Sequence, residues 1–359
     1  MGKDDHRVLG YNRASIMLTT QMTQTDLNLV DASHPRAQRV ALLTRPGQLE
    51  LAYAEIPEPA EGEIRIRVKW VGICGSDIEA YRGTRQAEFL STPTRLGHEV
   101  GGEIDKLGPH TEALREGDQV ACRYVWGAFA EYIICKPFNV EVLPREFPLR
   151  GAGLIEILPG VLHAAELADI RQNKDVLITG QGVSGLVLTQ VIKLFSPRSL
   201  AVTDLKERNL ALGRRYGATH TYQIPTPETP TMSVLDGDFP NGFDVVIPCL
   251  LEGDGVADAV DCAAFAGRIV LYGCIGVCRK PIDFFKVHRR RLDIFSTEPK
   301  RDIDMRRFFE EGTRMVLAGV VRTEDIITHE IPLSRIQEAF DLRNNSLSGA
   351  IGVLVNCEQ

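Results

Sequence analysis

The segment LGHEVGG, Leu96 to Gly102, places an imidazole and a carboxylate on consecutive residues, His98 and Glu99, close to glycines. Neighbours in a regular strand face opposite sides, so such a strand could not aim both side chains at one site. The glycines favour irregular backbone that could turn both the same way. Taken alone, the segment is more typical of a turn with a solvated glutamate and a hydrogen-bonded histidine.

Two other segments carry side chains of the kinds that bind metals. VGICGSDIEAYRG contains Cys74, Ser76 and Asp77. GLIEILPG sets Glu156 among aliphatic residues, where a buried carboxylate is costly unless it is paired or bound to a metal. Thiolate, imidazole and carboxylate together suit a tetrahedral zinc site. Each residue has an ordinary explanation by itself, so the zinc hypothesis depends on what accompanies the set.

A glycine-rich turn accompanies it. The strand VLIT runs into GQGVSG and then into the apolar helix LVLTQVIKLF, which places G-x-G-x-x-G between a strand and a helix. The first glycine makes the tight turn, the second lets backbone approach a pyrophosphate at the helix N-terminus, and the third packs helix on strand. Asp204 ends the next strand, where an acid can bind the adenosine ribose of NAD. The predicted cofactor-binding residues are Gly180, Gly182, Val183, Ser184, Gly185, Asp204 and Arg208.

The elements around these motifs divide the chain into two kinds of region. EIRIRVKWV alternates charged and β-branched residues with period two, as a half-buried strand does, and short strands with Gly and Pro continue to about residue 150. Beyond Gly151 strands alternate with helices, with GVADAVDCAAFA predicted as a helix and GRIVLYGC as a strand. This alternation indicates βαβ crossovers and a parallel sheet. The predicted fold class is α/β, with a β-rich domain and a Rossmann doubly wound domain.

Length and composition narrow the function classes. A chain of 359 residues exceeds one ordinary core, and a net charge of −7 disfavours a nucleic-acid partner. No apolar run reaches about 18 residues, so no membrane span is expected. The eight cysteines are scattered, unlike a disulfide scaffold, and the first 38 residues lack a signal-peptide core. We therefore expect a cytoplasmic protein.

Together the motifs resemble those of the zinc-dependent medium-chain dehydrogenase/reductases of the alcohol dehydrogenase superfamily, especially the branch of polyol (sorbitol), sugar and threonine dehydrogenases. The resemblance runs from about residue 39 to the C-terminus and is carried by GICGSD, GHEVGGEI, GDQV, GAFAEY, GLIEILPGVLHA, GQGVSG and GRIVLYG. It implies a GroES-like catalytic domain over 39–162 and 308–359, and a Rossmann domain over 163–307. Residues 1–38 are then an N-terminal extension, and we expect a homodimer or homotetramer.

The resemblance also assigns roles to the site residues. It implies that Cys74 and His98 are zinc ligands, while Glu99 and Glu156 compete for, or alternate in, the remaining protein position. Ser76 matches the hydroxyl that takes the substrate's proton. Asp77 matches the acid that orients the zinc-bound histidine.

Two departures from the family pattern change these expectations. Only ACRYVW separates Val120 from Gly127, where many relatives insert a four-cysteine structural zinc lobe. We therefore expect one catalytic zinc per chain, with Cys122 and Cys135 as ordinary buried thiols. Glu79 stands where the family often has a histidine in the proton route, so a carboxylate is the candidate for that role.

The implied reaction is reversible hydride transfer between NAD and a secondary alcohol of a polyol, sugar or cyclitol. Polar residues placed near the site by the resemblance, namely Glu79, Tyr81, Arg123 and Tyr124, suit such a small hydroxyl-rich partner. One alternative is a zinc-free quinone or enoyl reductase of the same superfamily, which should lack the Cys-His-Glu set. The other is a non-catalytic dinucleotide-binding protein.

Overall fold

The structure is a computed structural model that describes residues 27–84, 90–250, 254–272, 280–299, 301–345 and 348–359. The strands in these residues are β1 (Ala37–Arg45), β2 (Gln48–Glu55), β3 (Ile64–Gly72), β4 (Glu99–Leu107), β5 (Gln119–Cys122), β6 (Tyr132–Cys135), β7 (Val140–Leu143), β8 (Asp175–Thr179), β9 (Ser199–Asp204), β10 (His220–Gln223), β11 (Phe243–Pro248), β12 (Ala263–Leu271), β13 (Asp293–Ser296), β14 (Ile327–Pro332) and β15 (Gly352–Asn356). The helices are α1 (Gly75–Arg82), α2 (Leu158–Ala168), α3 (Val183–Lys193), α4 (Glu207–Tyr216), α5 (Met232–Leu235), α6 (Gly255–Cys262), α7 (Phe284–Arg290), α8 (Asp302–Leu317) and α9 (Ile336–Asn344).

The first half of the chain forms a β-rich layer, as its alternating pattern predicts. In β3 the side chains of Ile64, Ile66 and Val68 are buried, while the charged residues between them are more exposed. A seven-stranded sheet runs β14-β15-β3-β4-β5-β7, with β6 paired to β3. Since β14 and β15 belong to the C-terminal end of the chain, that end returns to complete the first sheet.

The second sheet is the predicted Rossmann sheet. Its six strands run β10-β9-β8-β11-β12-β13, and every pair is parallel. The central strand β8, DVLIT, is buried along nearly its whole length because helices cover both faces. Strand order reverses between β8 and β11, and ligands of such sheets bind beyond the carboxyl ends of the strands at that crevice.

One element boundary was predicted wrongly. The sequence pattern placed all of GVADAVDCAAFA in a helix, but α6 ends at Cys262 and Ala263 already opens β12. The register with β11 is irregular here, pairing Phe243 with Ala263 and then Val245 with Arg268. Ala263 therefore joins the sheet because it pairs with Phe243 of β11, a tertiary contact that helical periodicity does not encode.

The two sheets are joined through packed helices. Helix α2 lies against α8, where Arg307 Nη2 donates to Glu166 Oε2 at 2.6 Å. The predicted domain boundaries at 162/163 and 307/308 fall inside these two helices. They stay a prediction about how the chain divides.

The described part of the N-terminal extension docks on the first sheet. Leu27 is fully buried, and Val30 N donates to Tyr53 O at 2.9 Å along β2. Residues 1–26 lie outside the described residues. The predicted extension is therefore seen only in its last part.

One helical stretch passes a membrane-span test of length and composition. Residues Leu149–Ala168 span 20 residues, and 72% of the apolar window is buried inside the protein. The first part is a 3-10 turn, Leu149–Ile155, and the second is α2. Its burial is that of a core helix, which meets the same test.

Candidate metal and dinucleotide site

Three side chains that could bind a metal ion meet at one end of the β3–β4 pair. These strands are antiparallel, and Gly72, the last residue of β3, pairs with Glu99, the first of β4. Cys74 lies two residues beyond β3 and His98 one residue before β4. The ligand atoms of Cys74, His98 and Glu99 all lie within 4.8 Å of one another. The two consecutive side chains of GHEV do address one site, because His98 precedes the strand and Glu99 opens it.

Glycines make this convergence sterically possible. Gly97 has φ +97°, a conformation that suits glycine and turns the chain into β4. A Cβ at Gly72 would collide with the Glu99 carboxylate, and one at Gly153 would lie 2.5 Å from the Glu99 backbone oxygen. The site therefore depends on two close approaches that only glycine allows.

Asp77 ties the two ligand segments together. Its Oδ2 accepts from Cys74 N at 3.0 Å, and its Oδ1 accepts from Gly97 N at 3.1 Å. The same Oδ1 lies 3.7 Å from His98 Nδ1, a buried nitrogen that makes no hydrogen bond. One buried carboxylate thus holds both backbones and faces the imidazole, as the resemblance implied.

The electrostatics of the cluster fit a bound cation. Burial raises the pKa of the Cys74 thiol, and burial likewise raises the pKa of Glu99. Burial lowers the pKa of His98, but the Asp77 carboxylate and the Cys74 thiolate outweigh this and hold it well above its ordinary value. Acidic side chains that are buried close together lose their protons readily only when a nearby positive charge, such as a bound cation, compensates them. A thiolate, an imidazole and a carboxylate are donors that zinc prefers.

Glu156 lies beside this group but outside it. It follows the 3-10 turn Leu149–Ile155 and is partly buried. Burial raises the pKa of its carboxyl to about 7, against the opposing charge of His98. Glu99 adds to that rise, which places both carboxylates in one electrostatic neighbourhood. The structure brings three of the four predicted ligands into contact range and keeps the fourth nearby.

The candidate proton-transfer residues share one helix face. Ser76 and Glu79 stand three residues apart in α1, so their side chains lie on the same face. Ser76 is partly buried and Glu79 is buried. Asp77, on the intervening position, is buried against the metal-ligand segments instead. Helix α1 therefore carries the three residues to which the resemblance assigns orientation and proton transfer.

The other predicted polar neighbours have different placements. Tyr81 donates to Asp341 Oδ1 at 2.6 Å, so its hydroxyl is engaged with helix α9. Arg123 is 1% exposed, with its guanidinium 4.3 Å from the Tyr124 ring. Arg123 also lowers the pKa of Glu156, which puts its charge near the candidate metal site.

The glycine-rich turn has the geometry that a dinucleotide needs. Gly180 has φ +88° and leaves β8, and a Cβ at Gly185 would collide with the Gly180 carbonyl. Gly182 precedes α3, and a Cβ built there would have no neighbour within 4 Å. The turn is therefore closed where helix meets strand and open where a pyrophosphate would approach Val183 and the helix N-terminus.

Asp204 stands beside this turn. Its Oδ2 accepts from Gln181 N at 2.7 Å, and its Oδ1 accepts from Lys206 N at 2.8 Å. Lys206 Nζ donates to Ser348 O at 3.0 Å, and the Arg208 guanidinium lies beside Gly349. The end of β9 thus carries the Asp204 carboxylate, and the cationic side chains of Lys206 and Arg208 follow it in the chain.

Three residues near the site were not predicted. Tyr272 follows β12 and lies near Ser184, and its ring would be 3.5 Å from a Cβ built at Gly160. Burial holds the pKa of Tyr272 well above its ordinary value. Arg343 of α9 has a buried Nε without a hydrogen-bond partner, and Trp126 lies against His98. Only Tyr272 had a usable signal, since it ends a parallel strand where ligands bind.

Comparison with known proteins assigns the chain to a family. The alcohol dehydrogenase GroES-like domain matches residues 60–145, and the zinc-binding dehydrogenase domain matches residues 184–298. The L-threonine 3-dehydrogenase of Coxiella burnetii (strain Dugway 5J108-111) is 30% identical over 347 residues, which cover 88% of this chain and 97% of that protein. The chain belongs to the zinc-binding alcohol dehydrogenase family. The predicted family and two-part α/β fold are confirmed.

Two further proteins are similar to this chain over most of its length. The galactitol 1-phosphate 5-dehydrogenase of Escherichia coli (strain K12) is 26% identical, with 85% of this chain and 96% of that protein covered. An alcohol dehydrogenase of Escherichia coli CFT073, solved with NADH, superposes with a TM-score of 0.76 at 24% identity, over 89% of this chain and 99% of that one. This chain is therefore a dehydrogenase, and its relatives are named for alcohol, threonine and galactitol-phosphate substrates.

Proposed function

We propose that this dehydrogenase uses one zinc ion and NAD to interconvert a secondary alcohol and a ketone on a polyol, sugar or cyclitol. The observation that carries the proposal is the meeting of Cys74, His98 and Glu99 within 4.8 Å, in a chain that also holds an open dinucleotide turn. Zinc-free reductases of the superfamily should lack this set. The relatives are named as dehydrogenases, which favours an enzyme over a non-catalytic binding protein.

The ligand set defines what each residue does in the reaction. Cys74, His98 and Glu99 would hold the zinc, with Glu156 able to take a ligand position in turn. When bound, zinc acts as a Lewis acid that lowers the pKa of the alcohol oxygen. Asp77 would keep the Cys74 and Gly97 backbones in position through its two hydrogen bonds, and its carboxylate faces the His98 ring at 3.7 Å.

The remaining site residues move a proton and position the cofactor. Ser76 would accept the alcohol proton, and Glu79, on the same face of α1, would pass it toward solvent. The turn between β8 and α3 would hold the pyrophosphate by its free N–H groups. The cofactor performs the redox step, while the protein fixes its distance to the alcohol carbon and excludes water.

The two carboxylates are expected to behave differently from the imidazole. Glu99→Gln or Glu156→Gln should weaken zinc retention less than His98→Ala, because either carboxylate can replace the other but no second imidazole stands in the cluster. The measurement is zinc content after dialysis against a graded chelator series. Equal zinc loss from His98→Ala and from both glutamine variants would contradict the ranking.

The wild-type enzyme is expected to prefer NAD over NADP. Asp204 can accept bonds from both ribose hydroxyls, whereas the 2′-phosphate of NADP would place a like charge beside it. A lost bidentate contact plus repulsion amounts to about 2–3 kcal/mol, or roughly a hundredfold in kcat/KM. The positive charges of Lys206 and Arg208 can attract the 2′-phosphate, so they should reduce this difference in kcat/KM without removing it.

Two variants test the residue behind that preference. Asp204→Ser should reduce the preference for NAD, chiefly by lowering kcat/KM with NAD. Arg208→Ala should lower kcat/KM with NADP more than with NAD. Asp204→Asn is the matched control. It removes the negative charge, while its amide oxygen can still accept a hydrogen bond from the backbone N–H of Gln181 or Lys206. Similar kcat/KM for the two cofactors in the unmodified enzyme would show that Asp204 does not read the ribose.

We also propose an assembly and a location for this protein. Phe284 and Phe285 are 71% and 73% exposed on α7, which leads into the edge strand β13. Exposed aromatics beside a sheet edge favour pairing with a second copy, so we propose a homodimer or homotetramer. Six cysteines of the described residues are free thiols, in keeping with a cytoplasmic protein.

A further inference from the structure

The short segment Arg123–Gly127, which stands where relatives carry a structural zinc lobe, brings an aromatic ring to the candidate metal site. The Trp126 and His98 ring centroids are 4.9 Å apart, with an interplanar angle of 49°. His98 is 7% exposed, whereas Trp126 is 44% exposed. One part of the indole therefore covers the ligand histidine, and the other part is open to whatever approaches the site from solvent.

The segment holds this ring in place from both sides. Arg95 Nη2 donates to Gly127 O at 2.8 Å, and Gly127 has φ +75°, a conformation that suits glycine. On the other side, Arg123 N donates to Asn139 O at 2.9 Å. Ala128 N donates to Gly97 O at 3.2 Å, which joins the segment to the turn before His98. Because the segment is already held in place, packing of a ligand on the ring costs little conformational entropy.

The exposed part of the ring offers a flat apolar surface beside His98. The C–H face of a neutral hydroxyl-rich skeleton can pack on an indole while its hydroxyls reach water or polar side chains. An indole can also attract a ligand ammonium. The proposed substrate class, a polyol, sugar or cyclitol, favours the first kind of contact.

We propose that Trp126 is the specificity-determining residue for the carbon skeleton, packing on the C–H face of a cyclitol or extended polyol whose reacting carbinol lies at the candidate metal site. This inference rests on the proposed function and deepens it. It predicts that the ring packs on neutral hydroxyl-rich compounds, and the experiment below compares them with an amino alcohol, L-threonine. Trp126 acts by binding and takes no part in proton or hydride transfer.

The test compares substrates with and without a hydroxylated skeleton. We would measure kcat/KM of the zinc-loaded enzyme with NAD for myo-inositol, sorbitol, L-threonine and 2-propanol. Trp126→Leu should lower kcat/KM for the better of the two polyols about five- to tenfold more than for 2-propanol, because stacking contributes only where a C–H face exists. Trp126→Phe should recover most of the loss. Phe265→Leu, which changes an exposed aromatic on β12, is the matched control and should change neither value.

The outcomes separate this inference from the function it rests on. Wild-type enzyme that oxidises none of the four alcohols overturns the proposed function itself. Wild-type enzyme that oxidises a polyol while Trp126→Leu lowers all substrates equally overturns only the role of Trp126. A selective loss for L-threonine would show that the ring binds an ammonium instead. Zinc content and thermal midpoint, measured on each variant, must match wild type for the kinetic comparison to count.

Discussion

Cys74→Ser is expected to remove zinc and turnover together. The thiolate is one of three donors within 4.8 Å, and a serine hydroxyl is a far weaker zinc ligand at neutral pH. Since the metal supplies several kcal/mol of charge stabilisation, kcat/KM should fall by at least about a thousandfold. The measurements are elemental analysis of the dialysed protein and a steady-state assay against the substrate turned over by wild type.

The control separates loss of metal from loss of fold. NAD should still bind the Cys74→Ser protein with near wild-type affinity, measured by calorimetry, because the glycine turn belongs to the other sheet. Cys262→Ala, which changes a buried thiol in the Rossmann core, should keep both zinc and turnover. Full zinc content in the Cys74→Ser protein would remove Cys74 from the ligand set.

Ser76→Ala should lower turnover strongly while zinc is retained. The change removes a proton acceptor and no ligand, and general acid–base catalysis is worth about 10²–10⁴-fold. We expect a loss of roughly a hundredfold in kcat, since water can carry part of the proton flux. Glu79→Gln should give a smaller loss and shift the pH dependence of kcat, because a neutral amide cannot pass the proton on.

This pair of variants also tests the unusual carboxylate in the proton route. Ser233→Ala, an exposed serine on α5, is the control and should change nothing. Zinc content must equal wild type in all three proteins. Wild-type rates from both Ser76→Ala and Glu79→Gln across the pH range would show that the proton leaves by another route.

Much of the fold could be predicted because its signals are local. The alternation in β3 and the unbroken apolar strand before GQGVSG depend only on which faces are buried, and both elements form as expected. The start of β12 could not be predicted, because Ala263 joins the sheet through pairing with β11 rather than through its own propensity.

The residues of the candidate site also differ in whether the sequence could predict them. Cys74, His98 and Glu99 have residue types and motifs that point to zinc, and a single antiparallel strand pair is enough to bring them together. Trp126 has no such pattern, and Tyr272 has only its place at the end of a parallel strand. Trp126 reaches the site because a short segment passes the start of β4, and Tyr272 reaches it from the other sheet. Residues whose role comes from packing between distant segments have to be found in three dimensions.

The most direct test is a zinc-edge anomalous difference map from crystals of the zinc-loaded enzyme with NAD. We predict one peak per chain, in contact with Cys74 Sγ and a ring nitrogen of His98. A carboxylate oxygen of Glu99 or Glu156 should complete the protein ligands. A second peak within the chain, or a zinc ion bound away from Cys74 and His98, would contradict it.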